Sequence, residues 1–93
     1  MQARRTRLTP PMFGKHRMIE RFNGKYAYGI AGTGLTVWVC DEPRCGYMWR
    51  IEARQGFFSM AITKGKRRFR GAQACANDAL RNLQRWGKVF EQL

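Results

Sequence analysis

Cys40 and Cys45 frame the stretch Asp-Glu-Pro-Arg, a spacing that would set two thiols face to face in a hairpin with a four-residue loop. Thiols so placed can grip zinc, form a labile disulfide or stay inert. Adding Cys75 and the single histidine, His16, completes a Cys3His set by count. No spacing supports that set further, and Cys75 falls on an apolar helical stripe, where a thiol behaves as a small buried apolar group. No cofactor is expected, with zinc on Cys40, Cys45, Cys75 and His16 as the alternative. Other catalytic chemistry is poorly provided for. Hydrolytic metal sites need clustered carboxylates. Here Glu20, Asp41, Glu42, Glu52, Asp78 and Glu91 are scattered, apart from the turn pair Asp41-Glu42. A Cys–His nucleophile would need His16 beside a thiol, and no motif brings them together. Gly29, Gly32 and Gly34 bracket a loop that lacks the Lys-Ser/Thr of a phosphate loop. The chain is therefore expected not to be an enzyme.

Basic residues are the dominant chemistry. Eighteen Lys and Arg stand against six acids in 93 residues, a formal net charge of +12. The first 25 residues hold Arg4, Arg5, Arg7, Lys15, Arg17, Arg21 and Lys25 against Glu20 alone. A second run, Lys64, Lys66, Arg67, Arg68 and Arg70, contains no acid. Arg81, Arg85 and Lys88 recur at helical spacing. A small basic domain of this kind meets polyanions, with nucleic acid foremost through phosphate neutralisation and counterion release. An acidic host protein is the alternative partner. With 44% hydrophobic and 13% aromatic residues, the chain is not a disordered basic tail.

The elements that must position these residues follow from periodicity. Residues 1–24 carry Pro10-Pro11 and arginines without apolar repeat, and are expected to form a flexible basic arm. Residues 25–93 are expected to form one domain, because a chain of this length buries one core at most. Leu35–Cys40 is rich in β-branched and aromatic residues and predicts a strand. Cys45–Arg54 and Phe57–Lys64 alternate and predict two more, joined by Gln55-Gly56. Gly65-Lys66 predicts a turn into a short fourth strand, Arg67–Arg70. Those turns put Trp49, Ile51, Ala53, Phe58, Met60, Ile62 and Phe69 on one face. Arg50, Arg54, Arg68 and Arg70 then share the other, with Met48, Glu52, Phe57, Ser59, Ala61 and Thr63. From Ala72, apolar residues at Cys75, Ala76, Ala79, Leu80, Leu83 and Phe90 predict an amphipathic helix over the apolar face. The expected fold is α+β: an antiparallel sheet of four or five strands covered by one C-terminal helix.

Several resemblances bear on this layout. The stretch Cys40-Asp-Glu-Pro-Arg-Cys45-Gly-Tyr-Met-Trp49 resembles the Cys-x4-Cys half of the zinc site in phage Ogr/Delta-type transcription activators, without its Cys-x2-Cys partner. From Tyr47 to Gln84 the order of strands and helix resembles AP2-type and phage-integrase arm-binding domains. That resemblance implies a sheet entering the DNA major groove, with base or phosphate contacts from Arg50, Arg54, Arg68 and Arg70. The run from Ala72 to Leu83 is similar to the last helix of double-stranded RNA-binding domains, which also carries basic residues just before it. The general make-up resembles small phage accessory proteins, anti-CRISPR inhibitors among them. These imply docking on a host protein or nucleoprotein complex, with Phe57, Met48 and Phe13 as exposed anchors.

The expected function is non-catalytic nucleic-acid binding, DNA in preference to RNA, through Arg50, Arg54, Lys66, Arg67, Arg68 and Arg70 and the arm residues Arg4, Arg5 and Arg7. No apolar run reaches the roughly 18 residues of a membrane span, and no apolar leader follows Met1-Gln-Ala-Arg-Arg. Three cysteines are an odd number and argue against a disulfide scaffold. A reducing, cytoplasmic setting without a membrane partner is expected.

Overall fold

The computed structural model of the protein describes residues 9–87, 90, 91 and 93. In chain order these form β1 (Met12–Phe13), β2 (His16–Arg17), β3 (Ile19–Phe22), β4 (Lys25–Ile30), β5 (Leu35–Glu42), β6 (Gly46–Gln55), β7 (Phe58–Lys64) and α1 (Ala72–Gln84). Strands β3 to β7 make a five-stranded antiparallel meander, and β1 pairs with β2 as a separate hairpin. The α+β fold expected from periodicity is the fold observed.

Alternation explains which face is buried. In β5, Val37 and Val39 are fully buried while Thr36 and Trp38 are half-buried on the other side. Tyr26 and Trp49 flank Val39, and Tyr28 and Ile51 flank Val37, so two rows of three side chains reach the core from three adjacent strands. The stripe Cys75, Ala76, Ala79 and Leu83 of α1 has no solvent exposure. It closes over β5, β6 and β1.

Four expectations need correction. Residues 9–24 are not an arm: β1, β2 and β3 lie there, and Phe13 and Met18 are core residues at 0% and 1% exposure. Gln73 fastens this hairpin to α1, accepting from the Met12 N–H and donating to the Met12 carbonyl, each at 2.8 Å. Residues 1–8 lie outside the described residues, as do Arg4, Arg5 and Arg7. Second, the β6–β7 loop is Gly56-Phe57, because Gln55 pairs with Phe58. Gly56 takes φ +62° in the first central position, which suits glycine in this kind of turn. A shift of two preserves the side-chain faces, until an irregularity beside Ile51 and Glu52 sets Thr63, not Ile62, opposite Ile51. Third, Arg67–Arg70 is not a strand. Gly65 donates to the Trp49 carbonyl, and the chain bends back so that Phe69 bridges to Tyr47. Fourth, α1 stops at Gln84, where the Arg85 and Trp86 N–H groups turn back to the carbonyls of Asn82 and Leu83 respectively. Phe90 returns half-buried beyond Gly87.

One consequence follows at the sheet edge. The 13-residue helix is only about 20 Å long and lies away from β7. Phe58, Met60 and Ile62, expected beneath it, are exposed at 81%, 68% and 45%.

Candidate nucleic-acid interface

The sheet face turned away from α1 is crossed by one row of paired residues, Ile19, Ala27, Trp38, Arg50 and Lys64, one from each strand. Beside it run Phe22, Lys25, Cys40 and Met48 on one flank. On the other flank lie Gly29, Thr36, Glu52 and Ala61, and beyond them Arg54 opposite Ser59. Among the described residues the face thus presents Lys25, Arg50, Arg54 and Lys64 against two acids, Glu52 at its centre and Glu42 at the end of β5. Short or hydroxylated residues, Gly29, Thr36, Ser59 and Ala61, lie on the Arg54 side of the face, and the larger Ile19, Phe22 and Met48 on the side of Lys25.

Glu52 organises the centre. Its carboxylate accepts from the Trp38 indole N–H at 3.1 Å, from Arg50 Nε at 2.7 Å and from the Ser59 hydroxyl at 3.3 Å. Arg50 lies over the Trp38 ring, 5.5 Å from its centroid, within the range of a cation–π contact. Burial alone would lower the Arg50 pKa; the hydrogen bond to Glu52, with Cys40 and Glu42 nearby, outweighs it and leaves the value raised. Arg50 is therefore always charged, and of its five donors one goes to Glu52 and one, weakly, to the Cys40 Sγ at 3.7 Å. This cluster is a preset Arg–Trp platform able to meet a phosphate and a base.

The other expected site residues are less concentrated. Arg54 sits on the open face as expected, its Nε donating to the Gly56 carbonyl at 3.4 Å. Lys66, Arg67 and Arg68 are exposed in the bend after β7. Arg67 covers the Phe69 ring at 5.4 Å. Without the fourth strand, Arg68 and Arg70 do not join the open face, and Arg70 instead lines a groove at the start of α1. Of the expected exposed anchors, Phe57 is fully exposed and Met48 half-buried on the open face, while Phe13 is buried in the core. Sequence reasoning missed Trp38, Lys25 and Lys64 as members of one surface. The period-two pattern Tyr26, Tyr28, Ile30 would have revealed β4 and with it Lys25.

The expected thiol pair is also rearranged. Glu42 pairs with Gly46, so the loop is Pro43-Arg44-Cys45, and Arg44 and Gly46 take positive φ there. Cys40 pairs with Met48 and is buried, while Cys45 sits exposed in the turn. Cys75 is buried in α1, and His16 stacks on Tyr28 at 4.8 Å. Among the described residues, no three His, Cys, Asp or Glu side chains come close enough together to hold a metal. Burial pushes the Cys40 thiol up, against the pull of Arg50 and Lys25. Among the described residues, no helix is long and apolar enough to cross a membrane.

No family model, no curated protein and no solved structure matches the chain.

Proposed function

We propose that the protein is a non-catalytic nucleic-acid-binding module that contacts its ligand through the open sheet face. The observation in support is the set Lys25, Arg50, Arg54 and Lys64 gathered around Trp38, against Glu52 and Glu42 among the described residues, with Lys66, Arg67 and Arg68 exposed in the bend after β7. Arginine and lysine neutralise phosphates and release counterions, and an indole beneath a guanidinium offers a stacking surface to a base. DNA is favoured over RNA, and the setting is the cytoplasm of a bacterial or phage-infected cell. Fluorescence anisotropy titrations with duplex DNA, single-stranded DNA and duplex RNA across a range of salt test this. The double variant Arg54→Ala/Lys64→Ala should weaken binding and flatten the log–log salt slope by about two. An unchanged slope in that variant would remove the open face as the contact surface.

A second reading has its own observation. Phe57, Phe58 and Met60 are exposed at 100%, 81% and 68% at the start of the unpaired edge strand β7, and exposed apolar side chains on a free strand edge are a feature of protein contact surfaces. On that reading the protein is an inhibitor, of the anti-CRISPR kind, that docks on an acidic host protein or nucleoprotein complex. A stoichiometric complex that survives nuclease and moderate salt, and is lost in Met60→Lys, would favour it over the first.

A further inference from the structure

On the side of the sheet opposite the proposed interface, the chain forms a groove of about 460 Å3. Arg17 and Arg70 line it together with Tyr26, Tyr47 and the first residues of α1, Ala72 and Gln73, and its walls carry no acid among the described residues. The helix start is bare. Gly71 is extended and offers no side-chain cap, and the first turn has no acidic residue. The first helical hydrogen bond runs from the Cys75 N–H to the Gly71 carbonyl at 3.3 Å, which leaves the Ala72, Gln73 and Ala74 N–H groups outside the helical ladder. A bare helix start would not by itself define a site. Tyr26 supplies the independent observation: it is only 3% exposed, it borders the groove, and its hydroxyl has no hydrogen-bond partner among the described residues. A buried hydroxyl without a partner is costly unless a ligand or water completes it.

We propose that this groove binds a phosphate monoester dianion. Two guanidinium groups supply charge and directed donors, the helix start adds amide donors and the positive end of its dipole, and the two phenols donate from the sheet. Burial raises both tyrosine pKa values, and the negative charges of Glu20 and Asp41, the cross-strand partners of Tyr26 and Tyr47, add to this, so both hydroxyls stay protonated as donors. Arg17 donates through one nitrogen to the Pro10 carbonyl at 2.7 Å, which fixes the guanidinium at the groove wall with its other donors uncommitted. A monoester offers three terminal oxygens to these donors, where a backbone phosphodiester offers two. The same chemistry comes from the 5′-phosphate of a nucleic acid or from a free small phosphate monoester.

The test is an amide-resolved NMR titration of the full chain with inorganic phosphate at constant ionic strength. Saturable shifts are expected at Ala72, Gln73 and Ala74. Arg70→Gln should weaken them about tenfold or more and Tyr26→Phe several-fold, while Arg54→Gln, with the same loss of charge, leaves them unchanged. Shifts that grow without saturation, or that respond equally to Arg70→Gln and Arg54→Gln, would overturn the site as generic charge attraction. Matched oligonucleotides with 5′-phosphate or 5′-hydroxyl ends then assign the source: a preference for the phosphorylated strand points to a nucleic-acid end, and phosphate binding without that preference points to a free monoester. Loss of all oligonucleotide binding with the phosphate shifts intact would overturn the open-face function and leave this site standing.

Discussion

Trp49 joins the two layers of the molecule through a single polar atom. Its indole N–H donates to Asp78 of α1 at 2.9 Å, while Gly65 presses so closely on the ring that a Cβ there would lie 2.5 Å from the indole nitrogen. Gly65→Ala should therefore destabilise the fold by about 1–3 kcal/mol through overpacking, read from urea unfolding. Cys75 gives a pH signature. Burial, with Asp78 and Cys40 nearby, pushes its thiol up to about 12, against about 8.5 in an unfolded chain. The folded state thus holds this proton more tightly. Its contribution is full below about pH 8.5 and is lost progressively as the pH rises towards 12. Unfolding measured from pH 7.5 to 10.5 should show a shallower decline in Cys75→Ala than in the wild type; equal slopes would mean that the thiol is not buried as described. The apolar role of Cys75 was legible from its place in the helical stripe. The parting of Cys40 from Cys45 was not, because it depends on a loop of three residues rather than four, and turn length is set by backbone conformation at Arg44 and Gly46.

Elements were legible where pattern and local chemistry agree. The strands around Val37, Ile51 and Met60 and the helix from Ala72 stand out by period. The hairpin β1–β2 did not, since two-residue strands carry no period and Pro10-Pro11 with three nearby arginines resembles a tail. Its core status rests on tertiary contact alone. Phe13→Ala should cost about 3–5 kcal/mol, whereas a true arm residue would cost nothing. Met60→Ala, in contrast, should change stability by no more than about 0.5 kcal/mol, because β7 lies beyond the helix. Chemical denaturation of both variants checks the two expectations together. Alternation marked Phe58 and Met60 correctly as one face, but periodicity cannot report how far a covering helix extends. The false fourth strand has a similar cause: Gly65 reads locally as a turn, whereas its amide bonds to Trp49 and redirects the chain along the other end of β6.

At the scale of the whole molecule, the net charge is +12, and the described residues place six of the basic side chains on two opposite surfaces. The open face gathers Lys25, Arg50, Arg54 and Lys64, and the groove on the other side holds Arg17 and Arg70. Arg50 and Arg54 were legible as partners because strand parity alone assigns them to one face. Arg70 was assigned to the wrong surface because its position depends on the bend after β7. The exposed apolar edge adds a third surface, suited to protein contact. The measurement that bears most directly on the proposed function is the salt dependence of nucleic-acid binding, compared between the wild type and Arg54→Ala/Lys64→Ala. Nucleic-acid binding predicts affinity that persists at about 150 mM salt, differs between duplex DNA, single-stranded DNA and duplex RNA, and falls with a flatter slope in the variant. Binding that vanishes by that salt, or is indifferent to the variant, would contradict it.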